Sequence, residues 1–197
     1  LMATSPLNNP GDYTEANAWQ YFWTPAQYDI AGLKHLLGGE ASFTKKLDAF
    51  FTTEALHPNK FLGQEAMIGQ YAHGNEPSHH ILYLYAYTNQ AKTGQKYIHQ
   101  VVQYFHNNTP DGMIGNDDCG QMSAWYILST LGFYPVNAAS GNFVLGSPQV
   151  RKASIQLGAN QQFVVKAAHF SKRNIYNEQP TFNQKVLSKP ELNYLEI

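Results

Sequence analysis

Charge is scarce in this chain. Only 14% of its 197 residues are charged, 13 basic against 14 acidic, for a formal net charge of −1. With no basic face to neutralise a phosphate backbone, nucleic acid is excluded as a partner. Cysteine is scarcer still: Cys119 stands alone, which rules out an internal disulfide and a thiolate metal site built from it. No apolar run reaches the roughly 18–20 residues of a membrane span. A Gly-x-x-x-x-Gly-Lys phosphate loop, a Gly-x-Ser-x-Gly elbow and a Gly-x-Gly-x-x-Gly fingerprint are all missing. What is plentiful is neutral polarity. The 16 Asn and 15 Gln outnumber all charged side chains, and 13 Tyr and 3 Trp accompany them. Amides and aromatic faces suit neutral, hydroxyl-rich ligands, and equally a surface kept soluble without charge.

A 43% hydrophobic content is enough for a core and excludes general disorder. The length allows one domain, or one and a small second. The chain opens at Leu1 and stops at Ile197 inside a strand-like stretch, so a fragment of a longer protein is expected. Residues 1–137 read as helical. Tyr97, Val101, Tyr104 and Phe105 fall on one stripe, as do Met122, Trp125 and Tyr126. Further helices are expected at Ala26–Leu37, Phe43–Phe51 and Ser78–Thr88, with stops at Gly38-Gly39 and at Pro110-Asp111-Gly112. Residues 138–197 read as a small antiparallel β region, with strands at Phe143–Leu145, Ala153–Leu157 and Gln162–Ala167. The fold class is mainly α.

Three segments concentrate polar residues at helix ends. In the first, Gly11 to Tyr21, Glu15 sits where Thr14 can cap a helix. A carboxylate there is explained by the helix dipole, or by a pocket of Tyr13, Trp19 and Tyr21 that raises its pKa toward that of a general acid. In the second, His73 to His80, Pro77 suits a first helical position, and Asn75 and Glu76 offer the hard oxygens Ca²⁺ selects. His79 and His80 point to different helix faces and lack a zinc-binding spacing. In the third, Asp111 to Trp125, Asp117 and Asp118 repel each other unless a cation, a proton or donors compensate. One of them can cap the next helix, but a cap does not explain both. Met122 occupies the twelfth place of a loop counted from Asp111, so an EF-hand is rejected. Cys119 lacks a nearby His and is rejected as a nucleophile.

With these segments in hand the chain resembles the family 92 glycoside hydrolases, calcium-dependent exo-acting α-mannosidases. The resemblance rests on Tyr-Thr-Glu-Ala-Asn-Ala-Trp-Gln-Tyr from Tyr13, Gly-Asn-Glu-Pro-Ser-His-His from Gly74, and Gly-Asn-Asp-Asp-Cys-Gly-Gln-Met-Ser-Ala-Trp-Tyr from Gly115. It implies the later helices of an (α/α)₆ toroid followed by part of a β region, with a β-sandwich domain ahead of the toroid in the complete protein. It implies inverting hydrolysis of terminal α-mannose from glycans, with Glu15 as general acid and Asp118 as general base. Asn116 and Asp117 stand beside that base, and some members carry an acidic residue at the Asn116 position. Asn75 and Glu76 fall on the Ca²⁺-associated loop, and His73, Gly74 and Trp19 lie where sugar is contacted. Gly74 is Glu in members resembling α-1,2-specific enzymes. A secreted, periplasmic or cell-surface location follows from the substrate class. A second reading, a carbohydrate-binding or scaffold segment without activity of its own, stays open.

Overall fold

The structure, a computed structural model, describes residues 18–54 and 67–197. In chain order the helices are α1 (Ala18–Phe22), α2 (Ile30–Leu36), α3 (Glu40–Thr52), α4 (Ala91–Tyr104) and α5 (Gln121–Leu131). The strands are β1 (Met67–Ile68), β2 (Tyr71–Ala72), β3 (Phe133–Tyr134), β4 (Asn142–Leu145), β5 (Lys152–Gly158), β6 (Gln161–Lys166), β7 (Thr181–Phe182), β8 (Lys185–Val186) and β9 (Glu191–Asn193). Among the described residues the α-helices end at Leu131 and all strands but the β1–β2 pair follow it. The chain divides into two compact units, the residues up to Ile81 with Gln103–Ser123, and Leu82–Val102 with Ala124–Ile197.

In the first unit the local chemistry is legible. Asp29 caps α2 by accepting from the Gly32 amide at 2.7 Å, and Lys34 and His35 occupy its last turn, where the dipole favours cations. Gly38 and Gly39 end it at φ of 87° and 106°, backbone that glycine adopts without a Cβ penalty. The expected Ala26–Leu37 helix is therefore shorter. It splits into a 3₁₀ turn at Thr24–Gln27 and α2, because the Asp29 cap restarts the helix. α3 then buries Phe43, Leu47, Phe50 and Phe51, the i, i+4, i+7, i+8 stripe of an amphipathic helix. Trp23, wholly buried, meets Phe43 and Phe50 edge-on at 5.6 and 6.0 Å between ring centroids.

Two further expectations are corrected. Ser78–Thr88 contains no α-helix but 3₁₀ turns at Glu76–Ser78 and Ile81–Tyr87. Ile81 to Tyr85 are all buried, so packing on every side overrides a one-face helical pattern. Of the Tyr97–Phe105 stripe only Val101 is buried. The covered residues of α4 are Gly94, Gln95, Ile98, Val101 and Val102, and Tyr104 is 76% exposed. Gly94 decides this, since a Cβ there would lie 2.7 Å from the Leu82 carbonyl oxygen and 2.8 Å from Tyr85 Cβ.

In the second unit β5 and β6 form an antiparallel hairpin in which Ala153 pairs with Val165 and Ile155 with Phe163. A three-stranded sheet is ordered β3-β4-β9, with Phe133 opposite Leu145 and Phe143 opposite Leu192. The tail thus supplies a strand, closed by a capping box between Asn193 and Glu196. A cavity of about 720 Å³ in this unit is lined by Phe133, Phe163, Phe170, Tyr176 and the chain around them. Tyr83 is buried, stacks on Tyr134 at 5.1 Å and donates to Ser129 Oγ at 2.8 Å. Tyr83→Phe removes that donor and leaves a buried hydroxyl, so stability should fall by about 1–2 kcal/mol. The measurement is the urea midpoint, and an unmoved midpoint would show the bond contributes nothing.

Candidate active site

The second polar segment is built from a hairpin and a turn. β1 and β2 deliver Tyr71, whose hydroxyl lies 2.8 Å from His73 Nδ1. Asn75 follows in extended backbone and precedes the 3₁₀ turn Glu76–Ser78, in which Pro77 is the second residue. His79 and His80 then diverge. His79 Nε2 lies 3.1 Å from the His73 carbonyl oxygen, and its Nδ1 lies 3.2 Å from Gln121 Nε2. A carbonyl only accepts, so Nε2 carries the hydrogen and Nδ1 accepts from the amide. His80 repeats the scheme, with Nε2 2.8 Å from the Trp23 carbonyl and Nδ1 3.0 Å from Gln27 Nε2. Both rings are neutral with one tautomer dictated by their partners. Burial is the main cause that brings each from 6.5 to about 4, against the raising effect of the carbonyl bonds. Both nitrogens of each ring are spent, so neither can bind a metal.

His73 is wholly buried among Tyr71, His79, Phe105 and His106, with ring centroids 4.9 Å from His79 and 5.3 Å from His106. Its pKa is held well below 6.5 by burial first and by His79 and His106 second. The His73 side chain is thus covered within this unit, under the loop that carries Asn75 and Glu76.

The third segment arrives on a turn. After α4, the Asn107 amide bonds the Gly112 carbonyl at 2.8 Å and His106 bridges to Met113. The Pro110-Asp111-Gly112 stop lies inside this reversal. Gly115 follows at φ 70° with its backbone against Gly74. A Cβ on Gly115 would meet the Gly74 carbonyl oxygen and lie 2.7 Å from its Cα. The second and third segments thus touch through two glycines, and any side chain at Gly115 would drive them apart.

Beyond that contact the two aspartates separate in role. Asp117 accepts from the Ser123 amide at 2.9 Å and from its hydroxyl at 2.6 Å, satisfying an orphan amide in the first turn of α5. The Ser123 hydroxyl and then its amide hold this carboxyl below the usual carboxylate range. Asp118 is exposed and its side chain makes no hydrogen bond or ion pair among the described residues; Asn116 is exposed beside them. Cys119 at φ 54° and Gly120 at φ 75° turn the chain sharply into α5. The Gln121 amide returns to the Asp118 carbonyl.

Glu15 lies outside the described residues. Trp19, four positions on, meets Phe50 edge-on at 6.0 Å and lies under Lys46 Nζ at 5.5 Å. Its indole nitrogen is buried with no hydrogen-bond partner among the described residues. Gln20 donates to the Gln70 carbonyl at 3.1 Å, fastening α1 to the β1–β2 turn.

For a metal, no three His, Cys, Asp or Glu converge among the described residues. Asn75 and Glu76 nevertheless fit a hard cation in kind. Asn75 is 6% exposed, and one terminal atom of its amide is buried without a partner. Nitrogen and oxygen of an amide exchange by a flip, so that position accepts an oxygen equally well. The Glu76 carboxylate has no hydrogen bond or ion pair among the described residues. Calcium takes six to eight such oxygens, waters and substrate included. Sequence reasoning missed Gln121, Gln27 and His106. A Gln opening α5 carries no periodic signal, and its partner becomes visible only when the two loops meet.

The family model for the glycosyl hydrolase family 92 catalytic domain matches residues 2–197. The family GH92 α-mannosidase BT3965 from Bacteroides thetaiotaomicron is similar over the whole chain, at 36% identity and a TM-score of 0.85, with 25% of its own length covered. The family GH92 inverting mannosidase BT2199 from the same organism matches at 29% identity and a TM-score of 0.82, with 28% of its length covered. An uncharacterised secreted glycosidase of Arthroderma benhamiae is 26% identical over 185 residues, 92% of this chain and 22% of that protein. The chain therefore spans about a quarter of the length of these relatives.

The neutral histidine pair sets a pH dependence. Its folded pKa values lie below 6.5, so unfolding takes up protons between pH 6.5 and 4. Stability is full above that window and falls as pH drops through it, by roughly 2 kcal/mol per histidine at pH 5. Thermal melts at pH 7.5 and 5 should differ accordingly, and His80→Asn should shrink the difference. A flat profile would mean the rings are not held neutral.

Proposed function

The chain belongs to glycosyl hydrolase family 92, and on that footing we propose that it carries the acid/base half of an inverting α-mannosidase site acting on terminal, non-reducing mannose. Its helices are then later members of an (α/α)₆ toroid, completed in the whole protein by further helices and a preceding β-sandwich domain. A secreted, periplasmic or cell-surface setting suits a glycan substrate and accords with the secreted fungal relative. No helix among the described residues is long and apolar enough to cross a membrane.

One observation carries the reading: of two adjacent aspartates, Asp117 is consumed as a helix cap and Asp118 is left uncommitted. A carboxylate without internal partners, in a loop packed against the loop of Gly74, Asn75 and Glu76, suits a base that accepts a proton from water. In an inverting reaction the base and acid carboxyls stand about 6.5–9.5 Å apart, with that water on the face opposite the leaving oxygen. Glu15, protonated, gives its proton to the glycosidic oxygen as the bond to the anomeric carbon breaks. Water attacks that carbon and loses its proton to Asp118, and solvent exchange resets both groups. Asn75 and Glu76 would hold Ca²⁺, which when bound supplies a positive centre for sugar hydroxyl oxygens. Asn116, exposed beside the base, can hydrogen-bond the same water or sugar without adding charge.

In the complete protein, Asp118→Asn or Glu15→Gln should cut turnover of an aryl α-mannoside by roughly 10²-fold or more. Chelation with EGTA should remove activity and added Ca²⁺ restore it. Near-normal turnover of Asp118→Asn would sink the role of the base. Calcium-indifferent activity would point to another toroidal hydrolase, and glycan binding without turnover to the scaffold reading.

A further inference from the structure

Asp118 is free at its side chain but not at its backbone. Its carbonyl accepts from the Gln121 amide. The Gln121 side chain crosses to His79 Nδ1 at 3.2 Å, and His79 Nε2 is bound to the His73 carbonyl at 3.1 Å. One residue therefore grips the base loop with its main chain and the metal-type loop with its side chain. His79 is 1% exposed and cannot turn away without breaking both bonds. The same backbone stretch holds Cys119 in the left-handed region, a conformation that persists only when its surroundings impose it.

We propose that Gln121 and His79 are positioning residues for Asp118, acting through the chain Asp118 carbonyl, Gln121, His79, His73 carbonyl. The proposal rests on the reading of Asp118 as general base. The strut sets where the Asp118 carboxylate stands relative to the Asn75–Glu76 loop, and hence where the attacking water is held. A neutral amide is suited to this place. It donates to Nδ1 without charging the ring and adds no field beside the base.

The test compares Gln121→Met, Gln121→Glu, Asp118→Asn and Tyr83→Phe in the complete protein. Kcat, KM, melting temperature and the pH profile are measured on an aryl α-mannoside. Gln121→Met, similar in size but without a donor, should lower kcat about tenfold or more with KM within about twofold, since misplacement by even 1 Å is costly. Gln121→Glu keeps the link by sharing a proton with His79 Nδ1, so kcat should recover toward wild type. Its added charge should move the acidic limb of kcat/KM upward. Tyr83→Phe, a control for lost stability whose hydroxyl bond to Ser129 lies in the second compact unit, should keep wild-type kcat. The proposal is overturned if Gln121→Met turns over normally, if Glu is no better than Met, or if Tyr83→Phe loses kcat equally. Asp118→Asn separates the two levels. If it remains active the base assignment itself fails. If it is inactive while Gln121→Met is normal, only the strut fails.

Discussion

Two adjacent buried histidines hold the site together. His79 and His80 leave one turn in different directions. Each donates through Nε2 to a main-chain carbonyl and accepts through Nδ1 from a glutamine amide. His80 fastens the segment after α1 at Trp23 and Gln27, and His79 fastens the start of α5 at Gln121. Three stretches widely separated in sequence thus meet at one dipeptide. The arrangement works only with neutral rings: a protonated Nδ1 would face an amide donor, and burial already disfavours the charge. Neutrality at ordinary pH is therefore a condition of the geometry.

That geometry resolves the electrostatic problem of neighbouring carboxylates. Asp117 and Asp118 would repel if both were buried or both uncommitted. The Ser123 amide and hydroxyl neutralise the field of Asp117 locally, as a helix terminus does for an anion. Asp118 is left solvated, and the left-handed turn at Cys119 and Gly120 points the chain back into α5 directly after it. A non-glycine residue at φ 54° costs of order 1 kcal/mol. The strain sits beside the residue read as the base, where an over-determined backbone matters most.

Much of this was readable from the chain, for identifiable reasons. The three polar segments stood out because carboxylates, amides and histidines clustered at helix ends, and the Gly38-Gly39 and Pro110-Asp111-Gly112 stops act through local backbone chemistry alone. The β5–β6 hairpin was legible from its alternation. The helices at Ala26 and Ser78 were misread because a mid-segment cap at Asp29 and burial on all sides of Ile81–Tyr85 outweigh periodicity. The stripe on α4 was misplaced because Gly94, which has no side chain to count as apolar, sets the buried face. The burial of His73 was not legible, since its neighbours Tyr71 and His106 reach it from elements that only the fold brings together.

The amide-rich composition also takes on another meaning. Read as composition, Asn and Gln suggested a surface for neutral sugars. Several glutamines are instead internal struts: Gln20 to the Gln70 carbonyl, Gln70 to the Thr53 carbonyl, Gln95 in a two-way exchange with Asn177, and Gln27 and Gln121 to the histidine pair. A lysine in these places would carry a charge into low dielectric, and a serine would not reach. An amide donates and accepts over the length of a long side chain while adding no charge. If, as proposed, one carboxylate keeps a proton and another loses it, a framework that holds its loops with uncharged bonds leaves those two affinities to be set by the site itself.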